Sequence, residues 1–424
     1  MNILSQQKNA GSMRSILILD MSYTLKMFRE NQLEQALESR KLGGYFDRVI
    51  SVHPLAGLFE SGDGQFGDPV ITELDATHVF VEGKIGIYSA WRFLPPLNFL
   101  LAQLRLVRLL RSMAREVRVD VVRVGDPYYL GLIGWMLSRL LRVPLAIRVN
   151  FNYDEYFEIT KKPVFPKVFR FRFIEKLVEK FVFKRCNLVA GANKNNLDYG
   201  LSNGARAANG VVFRYGNLIH PVHFTEPSTR ESGRQILHEI GVRGEFLTTV
   251  SRLTEMKQPT HNLLVLKKLR EWGHDVNFVF VGDGSMRDQL EVMVGELGLE
   301  GNVFFSGNRP QEWIAKILPH ARLVLSPHMG RALTEACLAS APIVAYDLDW
   351  QREIIHSGKT GELVPANDWE EMARRSARLL ADPKQALRLG QKARQVAMEM
   401  MDTKALTDVE VGAYETLFSE VGKD

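Results

Sequence analysis

Twice in this chain, a series of short and almost wholly apolar runs alternates with longer amphipathic stretches. The first series is "SILILD", "DRVISV", "THVFVEG", "VDVVRVG", "VPLAIRV" and "CNLVAGA". The second is "FLTTVS", "VNFVFVGDG", "NVFFSG", "RLVLSP", "APIVAYD" and "TGELVPA". Runs rich in β-branched residues and bounded by turn formers read as strands. Strands that are apolar on both faces, with helices between them, call for a parallel sheet covered on both sides. The series restarts near residue 246, after the Gly- and Pro-bearing stretch "FRYGNLIHPVHFTEPSTRESG", so the join is expected around residues 214–222. The expected architecture is therefore α/β: two doubly wound, Rossmann-like parallel-sheet domains at residues 14–216 and 217–395. A C-terminal helix in 396–424 would pack back toward the first. At 424 residues the length agrees, because single cores stop growing beyond about 250–300 residues. Such sheets bind ligands outside the carboxyl ends of their strands, so two of them facing across a cleft would line it with post-strand loops.

Composition narrows the class. Hydrophobic residues make up 46% and charged residues 24%, a globular balance. Cys186 and Cys337 are the only cysteines and have no metal-ligand spacing, which points to a reducing, cytoplasmic setting. The opening "MNILSQQKNAGS" lacks the apolar core of a signal peptide, and ordered structure is expected from Arg14. The longest apolar stretch, "YYLGLIGWMLSRLLRVPLAI", is interrupted by Arg139 and Arg142, whereas a membrane-spanning helix needs about 20 uninterrupted apolar residues. Two segments carry a basic stripe at helical spacing. In 91–118, Arg105, Arg108, Arg111, Arg115 and Arg118 alternate with Leu104, Val107, Leu110 and Met113. In 161–185 cations mix with six phenylalanines, among them Phe169, Phe173 and Phe183. Both could be solvated helix faces with aromatics in the core, or a surface resting at the inner face of an anionic membrane. Nucleic acid is disfavoured, since no reader motif accompanies the charge.

The loops of the second half carry the chemistry. "VSRLTEMKQ" places Arg252 and Lys257 just after a strand, without acidic residues at helical spacing before them. After "VNFVFV" come Gly282 and Gly284, and after "RLVLSP" comes "HMGRALTEA". A helix start there, spanning Gly330, Arg331, Ala332 and Leu333, would offer free N–H groups and a positive dipole end to an anion. An arginine fork, a lysine point charge and such a helix start suit a diphosphate. An ordinary surface pair is the alternative for Arg252 and Lys257 taken alone.

Over residues 246–380 the series of motifs resembles glycosyltransferase family 4 (group 1), retaining enzymes of the GT-B fold. "VSRLTEMKQ" is similar to V-G-R-L-x-x-x-K-G, and "VFVGDGSMRDQLE" to G-x-G-x-x-R-x-x-L. "SPHMGRALTEACLASAPIVAYD" resembles P-S-x-x-E-G-F-G-L-x-x-x-E-A-x-A-x-G-x-P-V-V-A, and "QREIIHSGKTGELV" resembles P-E-I-V-x-x-G-x-x-G-x-L-V. The resemblance implies that Arg252 and Lys257 bind a donor diphosphate and that Glu335 binds the nucleotide ribose. It also places Gly282, Gly284, His328 and the 330–333 helix start at the donor. The chain departs from the pattern where the family's first glutamate stands: Pro327 occupies that place in a shortened loop, leaving His328 or the backbone at Gly330 to face the sugar. Gly125 stands where many members have histidine, and the adjacent Asp126 is either an acceptor-positioning group or a loop cap. "YDLDW" offers a D-x-D at Asp347 and Asp349, but with cations already facing the phosphates a metal ion is redundant and none is expected. Glu353 is a further donor-side candidate that could equally cap a helix, and His53 is left as structural.

The implied activity is retaining, metal-independent transfer from a nucleoside-diphosphate sugar to a glycan or lipid-linked acceptor, in surface polysaccharide or lipid-linked glycan synthesis. The missing glutamate leaves two alternatives open, a non-catalytic nucleotide-sugar-binding scaffold and a sugar-nucleotide epimerase.

Overall fold

The computed structural model describes residues 13–30, 33–91, 93–165, 169–227 and 230–421. The expectations for residues 1–12 lie outside them. The chain forms two compact units. One comprises Met1–Phe151, Phe165–Arg214 and Lys404–Asp424, the other Asn152–Val164 and Tyr215–Thr403.

The first unit is built on an eight-stranded sheet of β1 (Ser15–Leu19), β2 (Arg48–His53), β3 (Val70–Asp75), β4 (His78–Glu82), β5 (Val121–Val124), β6 (Leu145–Val149), β7 (Leu188–Gly191) and β8 (Gly210–Val212). Its order is β3-β4-β2-β1-β5-β6-β7-β8, parallel except that β3 runs antiparallel to β4. All six runs read from the sequence are present. β3 escapes that reading because "VITELD" is an exposed edge strand of mixed polarity rather than an apolar run. β8 is only three residues long. Helix Thr403–Val421 packs Tyr414 and Leu417 among Ile16, Phe46 and Phe213, with the Phe46 and Tyr414 rings edge-to-face at 5.1 Å.

The second unit holds a wholly parallel sheet of β9 (Phe246–Val250), β10 (Asn277–Val281), β11 (Val303–Phe305), β12 (Leu323–Ser326), β13 (Ile343–Tyr346) and β14 (Glu362–Val364), in the order β11-β10-β9-β12-β13-β14. Successive residues enter opposite cores: Phe246 and Val279 pack on one face, Leu247 and Phe278 on the other. That is why these strands read as continuous apolar runs. From β9 the chain steps outward through β10 and β11, then returns to the other side of β9 as β12. The β9/β12 junction is thus the point where strand order reverses, the place where open α/β sheets bind ligands.

Candidate functional site

The loop after β9 lies on the loop after β10. Leu253 N–H donates to Asp283 O at 3.0 Å, and Met286 N–H donates back to Leu253 O at 2.9 Å. The glycines make this approach possible. Gly282 has φ +128°, and a Cβ there would stand 2.1 Å from Ser251 O; one at Gly284 would stand 2.4 Å from Leu253 O. Both glycines therefore support the loop that carries Arg252 and Lys257.

Supported in this way, Arg252 is exposed and Lys257 half-buried. Among the described residues neither side chain has a carboxylate within 4.0 Å or donates a hydrogen bond. The Lys257 ammonium is close to the next loop, 3.6 Å from where a Cβ on Gly330 would be. Burial pulls its pKa down to about 8; Asp349 favours the charged form and Arg252 opposes it. A desolvated ammonium without an ion-pair partner is costly to keep, which is the usual mark of a group awaiting a ligand.

Gln351 shapes the loop after β12. Fully buried, its Nε2 donates to Tyr346 O at 2.9 Å and lies 3.2 Å from both Ser326 O and Pro327 O. Its Oε1 accepts from Ser326 Oγ, which in turn accepts from Met329 N–H at 3.2 Å. Gly330 then turns with φ +63° into helix Ala332–Leu338. Leu333 N–H returns to Gly330 O at 3.1 Å and Thr334 N–H to Arg331 O at 3.0 Å. The amides of Gly330, Arg331 and Ala332 are left without a protein acceptor among the described residues. The Arg331 side chain reaches Leu218 O at 3.1 Å, and the Leu333 side chain is in the core, so both can serve an anion only through the backbone they position. Glu335 is buried, with Oε2 4.0 Å from His223 Nε2, and its carboxylate accepts no hydrogen bond among the described residues.

His328 links three loops. Its Nδ1 is 2.9 Å from Met256 O and its Nε2 is 3.2 Å from Asp349 Oδ2. A carbonyl can only accept, so Nδ1 carries a proton. Asp349 is held in the left-handed region at φ +53°, uncommon for a residue with a Cβ and a frequent mark of functional sites. Asp347 turns away to pair with Arg352 at 2.9 Å. The two carboxylates of "YDLDW" therefore have separate partners, and no group of three metal-ligating side chains occurs among the described residues. Glu353 closes the short turn Asp349–Glu353.

The first-unit candidates lie at the ends of its strands. Asp126, after β5, is buried and accepts Tyr128 N–H at 2.7 Å, ahead of helix Tyr129–Leu141. Burial raises its pKa to about 7, against the lowering effect of the Tyr128 and Leu130 amides. His53 ends β2 in the core, its ring edge-on to Phe59 at 5.8 Å and its pKa lowered by burial.

Residues 238–396, which hold all of the second-unit loops above, match the family model for glycosyl transferases group 1. The chain is 25% identical over 340 residues to the alpha-D-kanosaminyltransferase of Streptomyces kanamyceticus, covering 79% of this chain and 85% of that one. It is 22% identical over 286 residues to the N-acetylgalactosamine-N,N'-diacetylbacillosaminyl-diphospho-undecaprenol 4-alpha-N-acetylgalactosaminyltransferase of Campylobacter jejuni, covering 65% and 70%. The crystal structure of Anabaena HepE with UDP and glucose superposes with a TM-score of 0.69 over 96% of this chain and all of that one, at 19% identity, which is a likeness of fold.

The chain has the GT-B fold, with a group 1 glycosyl transferase match over its second unit.

Within the matched region two residues gain a place that sequence reasoning did not give them. Asp349 enters the site as a partner of His328 and a neighbour of Lys257, not as half of a metal motif. Gln351 holds the loop after β12 from within the core. Neither is recoverable from spacing, because Asp349 lies 21 positions from His328 and its direction depends on a left-handed backbone.

Proposed function

We propose that the protein transfers a glycosyl unit from a nucleoside-diphosphate sugar to an acceptor hydroxyl with retention at the anomeric carbon, and without a metal ion. The observation that carries this reading is the pair of unpaired cations, Arg252 and Lys257, with the Lys257 ammonium beside the acceptorless amides that open at Gly330. As the bond from the anomeric carbon to the phosphate oxygen breaks, charge grows on the diphosphate. Fixed cations and amides stabilise that charge where it forms, without reorganisation. The acceptor oxygen bonds on the same face of the sugar, and its proton passes to the departing phosphate oxygen, so no separate strong base is needed. Glu335, buried and without a hydrogen-bond donor, is placed to accept from ribose hydroxyls. Asp349, oriented by His328, supplies the carboxylate that Pro327 cannot, keeping Lys257 charged and facing the donor.

UDP and glucose in HepE support a UDP-sugar as the first donor to try, and the diphospho-undecaprenol acceptor named for the Campylobacter relative supports a lipid-linked glycan acceptor. The test is to incubate purified protein with a panel of nucleotide sugars, with and without undecaprenyl-diphosphate-linked acceptors, in the presence of a chelator. Release of nucleoside diphosphate coupled to a longer glycan with the donor's anomeric configuration supports the reading. Conversion of the donor without any acceptor would point to an epimerase, and binding without turnover to a scaffold.

A further inference from the structure

Helix Pro95–Glu116 packs on helix Tyr129–Leu141, and that helix packs on helix Arg172–Phe183, so the three form one layer on the first unit's sheet. Phe99 meets Tyr129 at 6.3 Å, and Trp135 meets Phe181 edge-on at 4.9 Å, joining the layer through rings. The outer surface of this layer does not look like that of a solvated helix. On helix Pro95–Glu116 the buried face is Ala102, Leu106, Leu110 and Ala114, yet Leu97, Leu100 and Leu104 point outward, Leu100 being 54% exposed. Phe93, just before that helix, is 74% exposed. Further along the same exposed stripe come Arg108 and Arg115.

Helix Arg172–Phe183 repeats the inversion. Its acids face inward: Glu175 and Glu179 are fully buried and neutralise Arg172 at 3.0 and 2.6 Å. Val182 and Phe183 are buried at its end, but Phe173 and Leu177 face outward, 63% and 64% exposed, and Phe173 stacks on Phe171 at 5.8 Å. Arg139 on the middle helix, Arg142 just after it and Lys180 on this one are exposed as well. Among the described residues none of them, nor Arg108 or Arg115, has a carboxylate within 4.0 Å. A second-unit helix shows the ordinary alternative: on Trp369–Ala381 the outer face is ionic, with Arg374 and Arg375 each 2.7 Å from Glu371.

We infer that this three-helix layer docks on an anionic lipid bilayer, its leucine and phenylalanine ridge entering the headgroup–acyl boundary and its arginines and lysine contacting lipid phosphates. Outward apolar ridges flanked by unpaired cations match the pattern of helices that lie in the membrane interface. A layer this apolar and this poor in exposed acid is unusual on a monomer kept in water. The cations select a polyanionic plane over a neutral one. The inference deepens the proposed transfer to a lipid-linked acceptor, but its readout is vesicle binding alone, so either can fail while the other stands.

The test is co-sedimentation of the full chain with phosphatidylcholine vesicles and with vesicles containing about one-third phosphatidylglycerol. Binding to the second and not the first is expected, with release in about 1 M salt, where the screening length falls to roughly 3 Å. Leu100→Glu with Phe173→Glu, and separately Arg108→Glu with Arg115→Glu, should each weaken binding at least tenfold, since one basic residue near the surface is worth about fivefold. Lys384→Glu with Arg388→Glu, on the second unit, changes the charge equally and should leave binding intact. These positions are exposed, so unchanged thermal midpoints certify folding. No vesicle binding by the wild type, or equal binding by both layer variants, overturns the inference. So does a wild-type dimer that the Leu100/Phe173 variant dissolves, which would assign the ridge to a second copy of the chain.

Discussion

The two units place cations near the carboxyl ends of their strands in opposite ways. In the first, Arg40 is buried at 2.9 Å from Asp20, and Arg148 lies 3.6 Å from Glu410 and donates to Phe213 O at 3.3 Å. Arg172 is likewise neutralised by two buried glutamates. In the second, Arg252 and Lys257 have no such partner among the described residues, and Lys257 keeps its place despite burial that lowers its pKa to about 8. A paired buried cation is part of the fold, and its loss leaves a carboxylate stranded. An unpaired one is a standing cost that a ligand can remove. Pairing, more than burial or position in the sheet, separates the structural cations from the two proposed to hold the donor.

The strongest attempt to break that comparison removes a structural cation. Arg172→Ala strands the buried Glu175 and leaves Glu179 to Lys176; removing one partner of a buried pair costs about 3–5 kcal/mol, so chemical denaturation should show a large loss of stability. The mirror experiment removes a cation proposed to bind the donor. Arg252→Ala or Lys257→Ala should leave the denaturation midpoint unchanged or slightly raised, while turnover drops by about 2.7–4 kcal/mol in transition-state stabilisation, a hundredfold or more. If Arg252→Ala or Lys257→Ala instead loses stability and keeps its turnover, the distinction is wrong.

Glu335→Gln sharpens the ribose assignment. A neutral amide replaces an ionic acceptor, at a cost of roughly 1.5 kcal/mol, read as a donor KM about tenfold higher with kcat little changed. The smallest expected effect is a pH dependence. The folded pKa of Lys257 lies below the ordinary lysine value of 10.5, so between about pH 8 and 10.5 the unfolded chain binds more protons. Stability of the ligand-free protein should therefore rise with pH across that window, relative to Lys257→Met. Over the same rise kcat/KM for the donor should fall as the ammonium is lost near pH 8, and Lys257→Arg should flatten the profile.

Much of this was legible in the residues. The strands of both sheets stand out because burial on two faces forces unbroken apolar runs, and the edge strand "VITELD" is hidden because it is not so buried. Arg252 and Lys257 stand out because they follow a strand with no acid at helical spacing. The layer on the first unit was half legible. Basic spacing was visible, but phenylalanine at 173 read as a core aromatic until neighbouring glutamates proved to take the inward places. Asp349 was hidden for a geometric reason: one positive φ turns it from its sequence neighbour Asp347 toward a histidine brought in by another strand.

The central claim is that the second unit receives a pyrophosphate through side-chain and backbone donors alone. Calorimetric titration with a panel of nucleoside mono- and diphosphates in excess chelator tests it most directly. A diphosphate that binds at least tenfold more tightly than its monophosphate, with that margin abolished in the Arg252→Ala/Lys257→Ala double variant, is the predicted result. A margin that survives the double variant, or that appears only when a divalent cation is restored, contradicts the account.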